Sequence, residues 1–273
     1  MKLFWHGKRM RSIRTAALRK SVEKRLLEFM SRDRIGHFYA VYDVLFLPES
    51  TRAWTALSDG RLVGYLMEYD KRILYMRGDV SAAVPLLRNS DLSTALFNIE
   101  SQHLSAVRKL FKVAAPADKM TVGKISSFTP MMAATKSFNP VVQHEVKELS
   151  KKHGYAQAVA GLLGTDAQTA VDLLNGYAFG VFHGGKLVSF AASPNMLEDL
   201  AIVRGVFTSS EERGKGYSKS VCSVLAERLL REGKDVFLYV SKDNAAAIKV
   251  YSTIGFKPTG HVFLSFWAQR KAG

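Results

Sequence analysis

The chain has 273 residues, of which 47% are hydrophobic and 23% are charged. This composition excludes disorder, collagen and low-complexity fibre, and the length slightly favours two domains. No uncharged stretch exceeds 13 residues, whereas a membrane-spanning helix needs at least ~18. The single cysteine, Cys222, excludes an internal disulfide and a thiolate zinc site. We therefore expect a reducing compartment, the cytoplasm, and no metal.

The net charge of +15 is concentrated at the start of the chain. Residues 1–25 hold nine basic residues and one acidic residue, which leaves +7 for the remainder. Such a segment is compatible with a transit peptide, a phosphate-binding arm or the solvated start of a helix. We favour the last, because the apolar residues between Val22 and Met30 then form one stripe. The basic charge also raises the alternative of a nucleic-acid-binding protein.

In the first half of the chain, short helices and strands alternate. Helices are predicted from apolar spacing at Val22–Met30, Phe38–Phe46, Val80–Leu87 and Leu104–Phe111. Strands are predicted on both sides of a turn at Ser58–Arg61, and at Ile73–Met76, Leu96–Ile99 and Thr121–Phe128. Residues 129–144 contain two prolines and no periodic pattern. We therefore predict a link there, between an α/β domain at 1–135 and a second domain at 140–273.

In the second half, helices are predicted at about 144–152, Asp166–Leu174, Tyr217–Arg231 and Asn244–Ile254. Strands are predicted in a hairpin at Tyr177–Ser193, and at Leu197–Thr208, Val236–Val240 and Val262–Trp267. This hairpin aligns with the earlier one at a constant offset of 125 residues. A common hairpin sequence explains the alignment, but the similar strand order that follows makes a diverged internal duplication an equal alternative.

The clearest chemical signal is a strand, a loop and a helix at Val206–Ser218. Gly214 and Gly216 let the main chain approach an anion closely. The helix start leaves N–H groups unpaired at the positive end of the helix dipole. Arg213 and Lys215 add cationic donors, so the segment predicts an oxyanion or diphosphate site. The spacing fits neither the Walker pattern nor the dinucleotide fingerprint, and an ordinary strand-to-helix turn is the alternative.

A second signal lies in the helix that follows. Asn244 and Tyr251 are seven residues apart, so two helical turns place them on one face, roughly 10.5 Å from each other. Taken alone, Asn244 would be explained as a helix cap and Tyr251 as a core residue. Their occurrence together with the glycine loop favours a functional site.

The two segments together resemble the GNAT superfamily of acyl-CoA-dependent N-acetyltransferases. Arg213 and Gly216 match its loop pattern [Q/R]-x-x-G-x-[G/A], and Ser218 stands where Gly or Ala is usual. The helix motif is matched at Asn244, Ala247, Tyr251, Gly255 and Phe256. The resemblance is specific over residues 197–257, extends compatibly back to about residue 140, and does not reach residues 1–130.

The resemblance implies an α/β (α+β) fold, with a mixed, mostly antiparallel central sheet flanked by helices. Residues 1–135 would be a degenerate GNAT-like half, because no glycine loop follows Arg88, which corresponds to Arg213. The implied reaction moves an acetyl group from acetyl-CoA to a primary amine by direct attack in a ternary complex, without a metal. The acceptor would be a small-molecule or peptide amine. The chain would be a monomer or homodimer that binds neither membrane nor nucleic acid.

The resemblance also implies the site residues. The main chain at Val206, Phe207 and Thr208 would pair with the pantetheine arm like an added strand. The diphosphate would be held by Arg213, Gly214, Lys215, Gly216, Tyr217 and Ser218. Asn244 would contact the pantetheine or hold the strands apart. Tyr251 would protonate the departing thiolate.

The general base is less well defined. Many superfamily members place an acid near the start of this strand, which points to Glu198, with Asp199 beside it. Solvated charges at a strand end are the alternative interpretation, and His183 and His261 are weaker candidates. Cys222 lies within an amphipathic helix and is predicted to be a core residue.

Overall fold

A computed structural model describes residues 14–17, 20–114, 124–150 and 154–272. The chain divides into two compact units, one from Met1–Ser127 with Val262–Gly273 and the other from Phe128–His261. The division into domains at 1–135 and 140–273, which the sequence predicts, is not the division into these two units and stays a prediction. In the structure, residues 262–272 lie with the first unit, because their strand pairs there.

The first unit is a mixed sheet with helices. Its helices are α1 (Lys20–Met30), α2 (Phe38–Phe46), α3 (Val80–Leu87) and α4 (Leu104–Leu110). Its strands are β1 (Arg14–Ala17), β2 (Thr51–Ser58), β3 (Arg61–Tyr69), β4 (Ile73–Gly78), β5 (Thr94–Glu100), β6 (Phe111–Val113) and the last strand, β14 (Phe263–Arg270). The strand order is β1-β2-β3-β4-β5-β14, and β6 pairs with β14. Among the described strands of this unit, β4 and β5 are parallel to each other and the other pairs are antiparallel.

The second unit repeats this design. Its helices are α5 (Ala156–Leu163), α6 (Ala167–Leu173), α7 (Tyr217–Arg231) and α8 (Ala245–Thr253). Its strands are β7 (Ser126–Ala133), β8 (Lys147–Leu149), β9 (Tyr177–His183), β10 (Lys186–Ser193), β11 (Leu200–Thr208), β12 (Asp235–Ser241) and β13 (Lys257–Pro258). The strand order is β8-β9-β10-β11-β12-β7, and β13 pairs with β7. Here β11 and β12 are the parallel pair.

The described α-helices and strands follow the same order in both halves of the chain, β-α-α-β-β-β-α-β-α-β-β. The last strand of each half lies in the unit formed mainly by the other half: β7 pairs with β12, and β14 pairs with β5. The predicted mixed, mostly antiparallel fold is therefore confirmed. The recurrence of the whole element order supports an internal duplication rather than a common hairpin sequence.

Elements with strong local signals lie where they are predicted. The first hairpin turns through Asp59 and Gly60, with φ of 52° and 73°, the positive angles that a two-residue hairpin turn requires. Asp166 caps α6, since its Oδ1 accepts the Thr169 N–H at 2.8 Å. The helix α7 has the predicted bounds.

Predictions for the middle of the chain are less accurate. The predicted helix at 144–152 is wrong, because Lys147–Leu149 pair with β9 as a strand. The predicted link at 129–144 is wrong in its first part, where β7 runs through Pro130 and the Pro130 carbonyl accepts the Thr259 N–H at 3.1 Å. The helix α5 is not predicted. The predicted strand at 121–128 and the basic segment 1–25 lie partly outside the described residues.

Asp43 on α2 places a carboxyl group in the interior of the first unit. It is 3% exposed, and its Oδ2 has no hydrogen-bond partner among the residues that the structure describes. Burial raises the pKa of Asp43 from 3.8 to about 7, because the charged form loses its hydration. The folded state therefore binds this proton more tightly than the unfolded chain, and stability is lost as the pH rises from about 4 to about 7.

We expect Asp43→Asn to gain stability over the wild type, because asparagine keeps the shape of the side chain but does not ionise. The gain should grow by about 2–3 kcal/mol between pH 5 and pH 8. Urea denaturation at the two pH values measures it, with the exposed Asp70→Asn as the matched control. A gain that is the same at both pH values would contradict the prediction.

Candidate active site

The two parallel strands of the second unit separate partway along their length. β11 and β12 pair from Leu200 opposite Asp235 to Val203 opposite Leu238. Beyond Val203, β11 continues to Thr208 along β10 alone, while β12 continues along β7 as far as Ser241 opposite Phe128. Over the last residues of β11, no described strand pairs with the edge that faces away from β10.

The main-chain groups of Val206 and Thr208 point to this open edge. Ser209 donates its N–H to the Val188 carbonyl at 2.9 Å, and Phe207 lies opposite Phe190 on β10. Because successive residues of a strand direct their main-chain groups to opposite sides, Val206 and Thr208 face away from β10. An extended ligand can therefore pair with β11 there, as an additional strand would.

The glycine loop follows directly. Gly214 and Gly216 have φ of 81° and 88°, a region that side chains disfavour. Gly216 precedes α7 as its N-cap, with no side chain capping the helix. Among the described residues, none accepts a hydrogen bond from the N–H groups of Gly216, Tyr217 or Ser218. These N–H groups and the helix dipole favour an anion at this end of α7.

The two cations of the loop make contacts within the loop itself. Lys215 Nζ lies 2.8 Å from Glu212 Oε2, and this carboxylate raises the pKa of Lys215. Glu212 Oε1 also lies 3.0 Å from His183 Nδ1. Arg213 donates from Nε to the Thr208 carbonyl at 3.2 Å, and its guanidinium lies 5.8 Å from the Phe207 ring centroid. Both cations are near the helix start, and each keeps further N–H donors that these contacts do not use.

Residues from an earlier segment lie against the same turn. A Cβ added to Gly216 would stand 2.5 Å from Gln143 Oε1. His144 Nε2 lies 2.7 Å from the Lys215 carbonyl oxygen, and its ring centroid is 4.2 Å from that of Tyr217. Sequence reasoning missed Gln143, His144 and Glu212 as parts of this site. No local pattern reveals the first two, because they lie about 70 residues before the loop.

Asn244 and Tyr251 occupy the two positions expected on α8. Asn244 caps the helix, since its Oδ1 accepts the Ala247 N–H at 3.0 Å. Tyr251 is 7% exposed and lies in the core of the unit with Cys222 on α7. Burial, and to a lesser degree Cys222, raises the pKa of Tyr251 above that of a free tyrosine, so the phenol stays protonated. Among the described residues, none forms a hydrogen bond with its hydroxyl group.

Cys222 itself is buried, as predicted for a core residue. It is 1% exposed, and burial raises the pKa of its thiol to about 12. Ser218, one helical turn earlier on α7, lowers the pKa of this thiol, but the effect of burial is larger.

Glu198 and Asp199 lie at the opposite end of β11 from the loop. The carbonyl of Glu198 accepts a hydrogen bond from Lys234 Nζ at 2.8 Å, and the carbonyl of Asp199 accepts the Asp235 N–H at 2.9 Å. From Leu200 to Thr208 the strand extends about 26 Å at 3.3 Å per residue. The structure therefore does not bring Glu198 near the loop. His183 does lie beside the loop, because it contacts Glu212.

The corresponding gap in the first unit is closed. Arg77, which is 6% exposed, donates to the carbonyls of Asn98 on β5, Met76 and Gly36 at 2.8–3.0 Å. His103 Nε2 lies 2.9 Å from the Gly78 carbonyl. Arg77 and His103 thus fill, beside β4 and β5 in the first unit, the position that corresponds to the open gap between β11 and β12 in the second.

A family model described as FR47-like protein matches residues 178–264, which include the strand separation, the glycine loop and α8. Mycothiol acetyltransferase from Mycolicibacterium vanbaalenii is 44% identical over 59 residues, which are 20% of each protein. The match therefore spans a fifth of the length of that curated relative. No helix among the described residues is long and apolar enough to cross a membrane.

Solved structures share the fold over nearly the whole chain. A GNAT-family acetyltransferase from Colwellia psychrerythraea is 15% identical, with 95% of this chain and 100% of that chain covered and a TM-score of 0.60. A tandem GNAT protein from the clavulanic acid biosynthesis pathway is 15% identical, with 96% and 99% covered and a TM-score of 0.58. The fold of the chain is therefore that of GNAT proteins, and residues 178–264 are similar to the FR47-like family.

Proposed function

We propose that the second unit transfers an acetyl group from acetyl-CoA to a primary amine by direct attack. The observation that carries the proposal is the open edge of β11 at Val206–Thr208, which leads straight into a glycine loop and an uncapped helix start. The edge suits the amide groups of a pantetheine arm, and the helix start suits a diphosphate. Nothing in the fold or the relatives supports the alternative of a nucleic-acid-binding protein.

The residues present fit acetyl-CoA, which supplies the acetyl group as a thioester. Val206 and Thr208 offer main-chain groups to the pantetheine, and Gly216, Tyr217 and Ser218 offer N–H groups to the diphosphate. Asn244 caps α8 through Oδ1, which leaves its amide N–H groups for the pantetheine. Arg213 and Lys215 add positive charge at the same place.

Only a neutral amine can attack the thioester carbonyl. A lysine-like amine has a pKa of ~10.4 and is protonated at neutral pH, so a base must first remove a proton. Glu198 stays our prediction for the base, acting through water rather than by contact. Tyr251 is proposed as the hydrogen-bond donor to the departing thiolate. We keep the cytoplasm as the proposed location, since the lone thiol is buried and unpaired.

A panel of small-molecule and peptide amines tests the proposal. Acetyl-CoA and each amine are incubated with the protein, and release of free thiol is followed with and without the amine. At least one amine should accelerate release over the amine-free rate. The panel includes small molecules because the curated relative is a mycothiol acetyltransferase. No acceleration by any amine, together with no CoA binding in calorimetry, would contradict the proposed function.

We expect each chain to bind one CoA. In the first unit, Asp79 caps α3 by accepting the Ser81 N–H at 2.8 Å, which places a carboxylate where a diphosphate would need to lie. Arg77 and His103 fill the gap beside it. Calorimetric titration of the full chain with CoA should therefore give a stoichiometry of one. A stoichiometry of two would contradict the closure of the first unit.

A further inference from the structure

The segment 141–144, which we call the strap, is fixed along α7 by two buried serines. Ser223 Oγ accepts the Val141 N–H at 2.9 Å, and Ser220 Oγ accepts the Gln143 N–H at 3.0 Å. Both serines are 0% exposed. They are three residues apart, so one helix face presents both acceptors. The strap is thereby held in register with the first two turns of α7.

The strap ends at His144, which contacts the loop between its two glycines. A carbonyl oxygen can only accept, so the proton at His144 Nε2 is donated to the Lys215 oxygen across 2.7 Å. The imidazole ring also packs against the Tyr217 ring at 4.2 Å between centroids. The His144 side chain is half-buried, so part of it is held by these contacts with the loop and with Tyr217.

Because the peptide bond is planar, this contact fixes the direction of the Gly216 N–H. In a trans peptide the C=O and the following N–H point to opposite sides, and the described residues contain no cis peptide bond. Because the Lys215 carbonyl points to His144, the Gly216 N–H points away from the strap. No described residue accepts a hydrogen bond from that N–H.

The loop by itself does not fix this orientation. Glycines with φ of 81° and 88° lie on either side of Lys215, and glycine occupies positive and negative φ almost equally well. The peptide between Lys215 and Gly216 can therefore rotate at low cost unless something holds its carbonyl. His144 is the side chain that holds it.

We propose that His144 is a positioning residue for CoA, which turns the Gly216 N–H toward the diphosphate by holding the Lys215 carbonyl. The inference rests on the proposed function of the second unit. It adds a residue outside the loop, contributed by the segment that precedes β8, to the machinery that binds the coenzyme.

Calorimetric titration of the full chain with CoA tests the proposal in four proteins: the wild type, His144→Ala, His144→Gln and Val142→Ala. His144→Ala should raise the Kd for CoA about tenfold, because the variant loses the hydrogen bond that orients the Gly216 N–H. His144→Gln keeps an N–H donor at a similar reach and should recover most of the affinity. Val142 lies in the strap with its side chain exposed, so Val142→Ala should bind as the wild type does.

The outcomes separate this proposal from the proposed function. If the wild type does not bind CoA, the proposed function fails. If the wild type binds and His144→Ala binds equally well, only the role of His144 is overturned. A loss of affinity that His144→Gln does not restore, accompanied by a fall in Tm in both variants, would show a structural role and would also overturn it.

Discussion

Gly216→Asp is expected to weaken CoA binding by at least about 100-fold, which corresponds to about 2.7 kcal/mol. Two effects add up. Gly216 has φ of 88°, where a residue with a Cβ is strained, and that Cβ would stand 2.5 Å from Gln143 Oε1. The new carboxylate would also repel a diphosphate at the helix start; two unit charges 4 Å apart near a protein surface interact by about 4 kcal/mol. Calorimetry with CoA measures the loss.

Gly233→Asp is the matched control at the other end of α7. Gly233 has φ of 78°, and a Cβ there meets no atom within 4 Å. The control therefore introduces the same charge and a similar backbone strain, but away from the proposed diphosphate site. It should bind CoA with the affinity of the wild type. Equal affinity of Gly216→Asp and Gly233→Asp would contradict a diphosphate site at the start of α7.

Tyr251→Phe is expected to lower kcat about 10–100-fold, with little change in the KM for acetyl-CoA. Burial raises the pKa of this phenol, whereas a free thiol has a pKa of about 8.5. Full proton transfer to the thiolate is therefore unfavourable, and Tyr251 acts mainly as a hydrogen-bond donor to the charge that develops on sulfur. Steady-state kinetics with an amine identified in the panel measures the change.

Tyr42→Phe serves as its control, because Tyr42 lies in the first unit and its ring packs against those of Phe38 and Phe46. The control should leave kcat unchanged. Thermal unfolding of Tyr251→Phe should resemble that of the wild type, since no described residue bonds the Tyr251 hydroxyl. A wild-type kcat in Tyr251→Phe would remove the tyrosine from the proposed mechanism.

The elements that could be predicted from the sequence are those determined by neighbours in the chain. The hairpin turn at Asp59-Gly60, the caps at Asp166 and Asn244, and the bounds of α7 each depend on residues within a few positions. The glycine loop belongs to this group, because its backbone angles and the uncapped helix start follow from Gly214 and Gly216. Local chemistry therefore indicated where the candidate site lies.

Features that depend on distant residues could not be predicted. β14 lies beside β5, whose paired residues precede it by 163 to 175 positions, and β7 contains a proline that suggested a link. A local pattern does not show which strand edge will accept a given strand. The contact of His144 with Lys215 has the same character, because it depends on the path of the strap along α7. The position of Arg77 in the gap of the first unit could not be predicted either, since a buried arginine has no distinctive sequence signal.

The placement of β7 and β14 has a consequence for any attempt to dissect the chain. Cleavage near residue 135 would yield an N-terminal fragment that lacks β14 beside β5 and a C-terminal fragment that lacks β7 beside β12. Each fragment would expose an unsatisfied strand edge, which promotes association with other chains. Co-expression of both fragments, rather than either one alone, is the route by which such halves could assemble.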